Sequence, residues 1–277
     1  MDLTRRMWAL FESIHTITYS TPESQGTFEA VGLHGYWRGY FASRVAPMGA
    51  ASAPLVVATL FFFAPSKVEQ FVPEVWQRVT PEQALRARSE GATAALKRLT
   101  ADLPVDRVTE AADILTEAAS RLETAGRVLG AANAAIPVPD EPLPRIWQAT
   151  TTLREHRLGG HIAAWVAAGV DGCEGHVFRA AYDLHRRVLQ ARRGWDDEEW
   201  EAATKRMIES GWLDSEGAPT EWGLARYEEI EVATNRAAAS AWAGFDPERL
   251  EAVLTPLARI CRAEMPAENP IGLPHKL

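Results

Sequence analysis

The sequence predicts a mainly α-helical fold, built as two degenerate halves, with a winged helix-turn-helix in the second. Three observations predict it. Apolar residues recur at helical spacing through almost the whole chain. Cap–proline–acid signatures open new helices at Thr21-Pro22-Glu23, Thr80-Pro81-Glu82 and Asp246-Pro247-Glu248. One stretch, 212–220, instead reads as two short extended pieces around a Ser215-Glu216-Gly217 turn, the pattern of a wing.

In chain order, Trp8, Phe11, Ile14, His15 and Thr18 share one face of a helix over 4–19. Pro22 then opens a short helix to 31, which Gly32 ends. A third helix, 35–46, carries Tyr36, Trp37, Arg38, Tyr40 and Arg44. No charge falls between Arg44 and Lys67, but the apolar centre at 55–64 is bounded by prolines and is too short for the roughly 20 residues a bilayer span needs. It reads as a buried core helix. Further helices are expected over 81–100, 105–124 and 126–135. Four prolines in 136–144 block helix and sheet and mark a linker. Beyond it, helices over 143–157, 161–168, 172–191 and 198–210 lead to the wing, followed by 221–242 and 247–262.

The expected division is therefore an N-terminal half with a degenerate helix-turn-helix (1–135), the linker (136–144), a winged-helix half (145–262) and a poorly ordered tail (263–277). Each half has a helix ending in a glycine-containing break, Ala46-Pro47-Met48-Gly49 and Gly169-Val170-Asp171-Gly172. Each then has a tryptophan before a capped helix, Trp76 before Thr80 and Trp195 before Asp197. A duplication folded back on itself would be an intramolecular pseudo-dimer. The chain would then be a monomer, with a homodimer as the alternative.

Charge argues against nucleic acid as the main partner. Lys and Arg number 29 against 37 Asp and Glu, a net charge of −8. The helix preceding the wing opens Asp196-Asp197-Glu198-Glu199-Trp200-Glu201, opposed only by Lys205 and Arg206, the contacts DNA would have to use. Cys173 and Cys261 lie far apart, outside any CxxC spacing, so neither a disulfide framework nor a zinc site is expected. The N-terminal residues lack a signal-peptide pattern, which points to the cytoplasm, and no membrane partner is expected. No cofactor, metal or catalytic residue is indicated, because no nucleophile elbow, phosphate loop or metalloprotease motif occurs. An enzyme whose site is assembled only by the fold is the third-ranked reading.

Two clusters stand out as ligand candidates. His34, Tyr36, Trp37, Arg38, Tyr40 and Arg44 would give one helix an aromatic face edged by guanidinium groups, suited to stacking and to holding an anion. A core stripe with arginines reaching to solvent accounts for the same residues. Arg154, His156, Arg157 and His161 form the second cluster, able to bind a carboxylate or phosphate. If the halves pack together, both clusters line one cavity. The reading is a small-molecule sensor or sequestering protein with an aromatic or anionic ligand between its halves. The alternative is a DNA-binding regulator that responds to such a ligand.

Over residues 195–257 the order of helix, glycine, charged turn with Gly217, Pro219-Thr220 and a helix beginning Glu221-Trp222-Gly223 resembles the second half of MarR-type winged-helix regulators. That likeness implies a recognition helix before the wing and a dimerisation region after it. The whole chain also resembles an actinobacterial group of duplicated helix-turn-helix proteins, the SCO6745-like family. The likeness is carried by Trp8-Ala9-Leu10-Phe11-Glu12, His34-Gly35-Tyr36-Trp37-Arg38, Leu153-Arg154-Glu155-His156-Arg157, Gly160-His161-Ile162 and Pro219-Thr220-Glu221. It implies a fold and no catalytic motif.

Overall fold

In the computed structural model, which describes residues 2–266 and 268–273, sixteen α-helices and two 3-10 turns follow one another with no strand among the described residues. Asp2 caps α1 (Leu3–His15) by accepting from the Thr4 amide. The helix expected over 4–19 breaks at Thr16, and α2 (Ile17–Ser20) follows. Ser13 and Thr16 turn their hydroxyls onto the Ala9 and Ser13 carbonyls, the local competition that bends helices. Then come α3 (Pro22–Ala30) and α4 (Tyr36–Val45).

The apolar stretch departs from expectation. It forms only the short α5 (Ala53–Thr59), which buries Val56 and leaves Leu55 exposed. Phe61 and Phe62 leave the helix and reach the C-terminal half, where Gly172 admits them: a Cβ there would lie 2.0 Å from the Phe61 carbonyl oxygen. After α6 (Pro65–Glu69) and α7 (Val72–Arg78), a Thr80–Gln83 capping box opens α8 (Pro81–Leu99). Next are α9 (Val105–Ser120) and α10 (Val128–Ala134). Pro142 and Pro144 of the expected linker sit in the first turn of α11 (Pro142–Ala167), where an amide hydrogen has no helical partner to lose.

Two further boundaries differ. The break expected at Gly159-Gly160 is absent, and α11 runs straight through. Those glycines let Arg127 and Ala237 approach its backbone, with Ala237 Cβ only 3.0 Å from where a Gly160 Cβ would be. The single helix expected over 172–191 is split into α12 (Gly172–Tyr182) and α13 (Arg186–Arg193). Asp183 leaves the helix at φ −146° and takes both Arg179 N–H groups on its carboxylate. An Asp196–Glu199 capping box opens α14 (Asp197–Glu209).

Between α14 and α15 (Glu221–Ala238) the expected hairpin shrinks to one antiparallel bridge, Leu213–Pro219. Asp214 folds its turn by accepting the Glu216 and Ala218 amides, and Pro219 has no N–H with which to lengthen a ladder. The last helix is α16 (Pro247–Arg262).

Helix α11 is the axis of the molecule. Ile146, Trp147 and Leu153 pack with Met7, Phe11 and Ile14 of α1, Leu96 of α8, Leu115 of α9 and Leu254 and Leu257 of α16 in one apolar cluster. A second cluster joins α11 through Trp165 to Phe178, Leu189, Trp200, Met207, Trp212 and Tyr227, so α12, α13 and α14 pack together against α11 and α15. Each such buried side chain contributes roughly 1.5–3 kcal/mol. The tail, expected to be poorly ordered, is folded where it is described. The Asn269 carboxamide accepts three successive amides and Leu273 is buried, while residues 267 and 274–277 of that expectation lie outside the described residues. No single helix among the described residues is long and apolar enough to cross a membrane.

Candidate ligand-binding site

Two adjoining chambers lie where α1, α4, α11, α12, α13 and α15 come together. The inner one, about 110 Å³, is lined by Arg5 and Glu12 of α1, Arg154, Arg157 and His161 of α11, His176 and Arg179 of α12, Arg193 of α13, and Tyr227 and Glu231 of α15. The outer one, about 500 Å³, is lined by Tyr19, Tyr36, Trp37, Tyr40, Arg192 and the tail residues Met265 and Pro266. Arg154, Arg193, Pro270 and Ile271 line both.

Of the sequence-derived candidates, Tyr36, Trp37, Tyr40, Arg154, Arg157 and His161 therefore meet around these chambers. The others do not. His34 is exposed, and its carbonyl accepts from Arg38, whose guanidinium is committed to Glu74 near the surface. Arg44 sits behind Tyr40, donating to its hydroxyl at 2.7 Å and pairing with Glu155 at 3.0 Å. His156 packs against Arg127 and the Glu123 carbonyl, away from both chambers. Ring neighbours at helical spacing on α4 do meet; Trp37 and Tyr40, three residues apart, stand edge to face with centroids 5.5 Å apart. They are simultaneously core and chamber wall.

The charges are ordered by ion pairs that sequence spacing does not show. Glu155 and Glu12 clamp Arg154, and Glu155 also clamps Arg44, all buried. Burial would raise the Glu155 carboxyl, yet Arg154 and Arg44 hold it at about 2. Arg5 pairs with Glu231, and Arg157 donates to Asn235 at 3.1 Å. Arg193 is different. Its guanidinium stacks on Phe63 at 4.7 Å but meets no carboxylate among the described residues, and its buried Nε has no hydrogen-bond partner. Buried Nε of Arg157 is likewise unpartnered.

His161 is a wall and not a charge. Trp165 donates to its Nε2 at 2.9 Å, while Thr234, whose hydroxyl donates to the Ile230 carbonyl, accepts from its Nδ1 at 2.9 Å. Both ring nitrogens are thus spoken for in the neutral form, and burial together with Arg157 pushes its pKa well below the usual value. Burial and Arg193 do the same to His176.

Arg193, Arg179, Glu12 and Glu231 were not singled out in the sequence. Glu12 carried a readable signal, a carboxylate between Phe11 and Ile14 on an otherwise apolar face. Arg193 carried none, since a basic residue before a glycine reads as an ordinary helix end.

The basic groups of α14, and Arg186 of α13, are paired with acids. Arg206 is bound to Asp171 and Glu174, Lys205 lies 3.8 Å from Glu209, and Arg186 pairs with Asp197 and Glu201. Cys173 and Cys261 are both free and buried, which pushes each thiol up to about 12. Among the described residues no group of three or more His, Cys, Asp or Glu is placed to hold a metal ion.

The architecture is an all-helical one with a partly open, arginine-rich hollow. Residues 4–269 match the model of a helix-turn-helix family, so the chain belongs to that family. No curated protein and no solved structure matches it.

Proposed function

We propose that this protein binds a small anion in the inner chamber and acts as a ligand-sensing or sequestering member of its family. The carrying observation is Arg193. A half-buried guanidinium whose Nε is fully enclosed and unpartnered, with no counter-ion beside it, is costly, and an anion entering next to it lowers that cost. Arg154 and Arg157 supply further donors, and guanidinium groups suit carboxylate and phosphate geometry. Arg193 also ends α13, the first helix of the helix-turn pair, and its carbonyl accepts from the Ala64 amide at 3.0 Å. A ligand held there touches the helix-turn-helix directly.

The scaffold of this reading is a MarR-like winged helix in two degenerate copies. Four parallels support the duplication. α1 packs on α16 as α11 packs on α9, and α3 packs on α8 as α11 packs on α15. Trp8 precedes His15 by the same seven residues that separate Trp147 from Arg154. The fourth is a pair of cross-contacts, Glu12–Arg154 and His15–Thr151, which join the same two positions with the halves exchanged. This register makes α8 the counterpart of α15, whereas the tryptophan pattern had paired it with α14.

Thermal unfolding with a panel of small carboxylates and phosphates tests the proposal. At least one anion should raise the midpoint of the wild type and leave Arg193→Gln unmoved; no shift with any anion would sink it. A second reading, regulation through DNA, is favoured by the packing of α12, α13 and α14 as a helix-turn-helix. The acids on α14 weigh against it.

A further inference from the structure

We propose that the two chambers hold one amphipathic ligand, a planar ring-bearing carboxylate with its head at Arg193 and its ring in the outer chamber. The inference rests on the anion-binding reading and adds the rest of the molecule. The inner chamber, at about 110 Å³, accommodates a head group and little else. The outer chamber, at about 500 Å³, is of the size that holds a whole small molecule, and four aromatic side chains, Tyr19, Tyr36, Trp37 and Tyr40, line it.

Its rings offer stacking surfaces at several inclinations. Tyr36 and Trp37 stand edge to face at 5.0 Å, Tyr36 and Tyr40 stack at 6.0 Å, and Tyr19 tilts against Tyr40 at 4.8 Å. A flat ring inserted among them gains offset or edge contacts beyond its burial.

Charge selects an anionic head group. Glu12 and Glu155 already answer Arg154, Glu231 lies beside both Arg5 and Arg157, and Asp183 answers Arg179, whereas Arg193 at the junction of the chambers and Arg192 in the outer wall meet no acceptor among the described residues. Because Arg154 and Arg193 line both chambers, a carboxylate gripped there projects its ring outward. The tail residues Pro270 and Ile271 border both chambers, so the same strap covers head and ring.

The test compares 2-naphthoate, 2-naphthol and inorganic phosphate by titration calorimetry on the full chain, with benzoate and indole-3-acetate as further ring-bearing carboxylates. At least one ring-bearing carboxylate should bind ten-fold or more tighter than both 2-naphthol and phosphate. Arg193→Gln should reduce that carboxylate to the level of 2-naphthol and leave 2-naphthol unchanged. Trp37→Ala should weaken the ring-bearing ligands and leave phosphate unchanged. Phosphate binding as well as every ring-bearing carboxylate would overturn this inference while sparing the anion reading; no binding by any anion would overturn both. The wild-type comparison decides between these outcomes even if a variant fails to fold.

Discussion

Glu155 shows what a single buried side chain carries in this molecule. It takes Arg44 at 3.0 Å and pairs with Arg154, and all three are almost fully enclosed. Glu155→Gln preserves shape but leaves two guanidinium groups short of a counter-charge, so it should destabilise by about 3–5 kcal/mol in urea unfolding. A loss below about 1 kcal/mol would show that water reaches the cluster. Histidines set the acid limit. His15, His156, His161 and His176 all have pKa values lowered first by burial, His156 to about 4. The unfolded chain therefore takes up protons on these rings more readily than the folded one. Their stabilisation is complete above the ordinary value near 6.5 and drains away as pH falls toward 4. Glu155 adds to the loss below about 4.5, its ordinary range, down to about 2. The urea midpoint should be level from pH 8 to 7 and fall steadily below 6.5; a midpoint unchanged at pH 5 would contradict the burial of these rings.

At the scale of elements, what could be read in the sequence was what local chemistry decides. Thr80 with Gln83, Asp196 with Glu199, and Asp246 before Pro247 mark helix starts because each cap acts within four residues. Continuity of α11 through Gly159-Gly160 was hidden, since it depends on Arg127 and Ala237 filling the space from elsewhere in the chain. The split between α12 and α13 was hidden for a related reason. Residues 172–191 have no proline, and only the Arg179–Asp183 pair and the seating of Leu189 in the second cluster mark the turn. Six chamber residues were legible as helical stripes on α4 and α11. Their meeting with Glu12, Arg193 and Glu231 was not, because those partners come from helices distant in the chain. Gly172 tests the element contact that brings Phe61 and Phe62 across. Gly172→Ala places a methyl group 2.0 Å from the Phe61 carbonyl oxygen, so the loop or α12 must shift. The expected cost is about 1–3 kcal/mol in chemical unfolding, with altered near-UV aromatic dichroism. A neutral result would show that the loop moves freely.

Over the whole molecule, the electrostatic field opposes the use that helix-turn-helix units commonly have. The chain carries −8 overall, and residues 195–230 contain eleven acids against three bases. Ion pairing removes most of what could offset them, since Arg206 is held by Asp171 and Glu174, and Lys205 faces Glu209. Glu198, Glu201 and Glu209 remain exposed along α14, and Asp214 and Glu216 occupy the turn beyond it. Brought to a duplex, each of these acids repels phosphate and releases no counter-ion. Duplex DNA should accordingly bind more weakly than about 10⁻⁴ M at physiological salt, the weak end of the usual non-specific range. Lys205→Ala with Arg206→Ala should leave that value unchanged. Charge reversal gives the sharper measurement: Glu198→Lys with Glu201→Lys should create binding whose salt dependence steepens by about two counter-ions. Tight, sequence-selective binding by the unaltered chain, abolished by Lys205→Ala, would reverse the argument. The acids of α14 would then be guards against the wrong sequence, and the arginine-lined hollow would serve to control a reading helix.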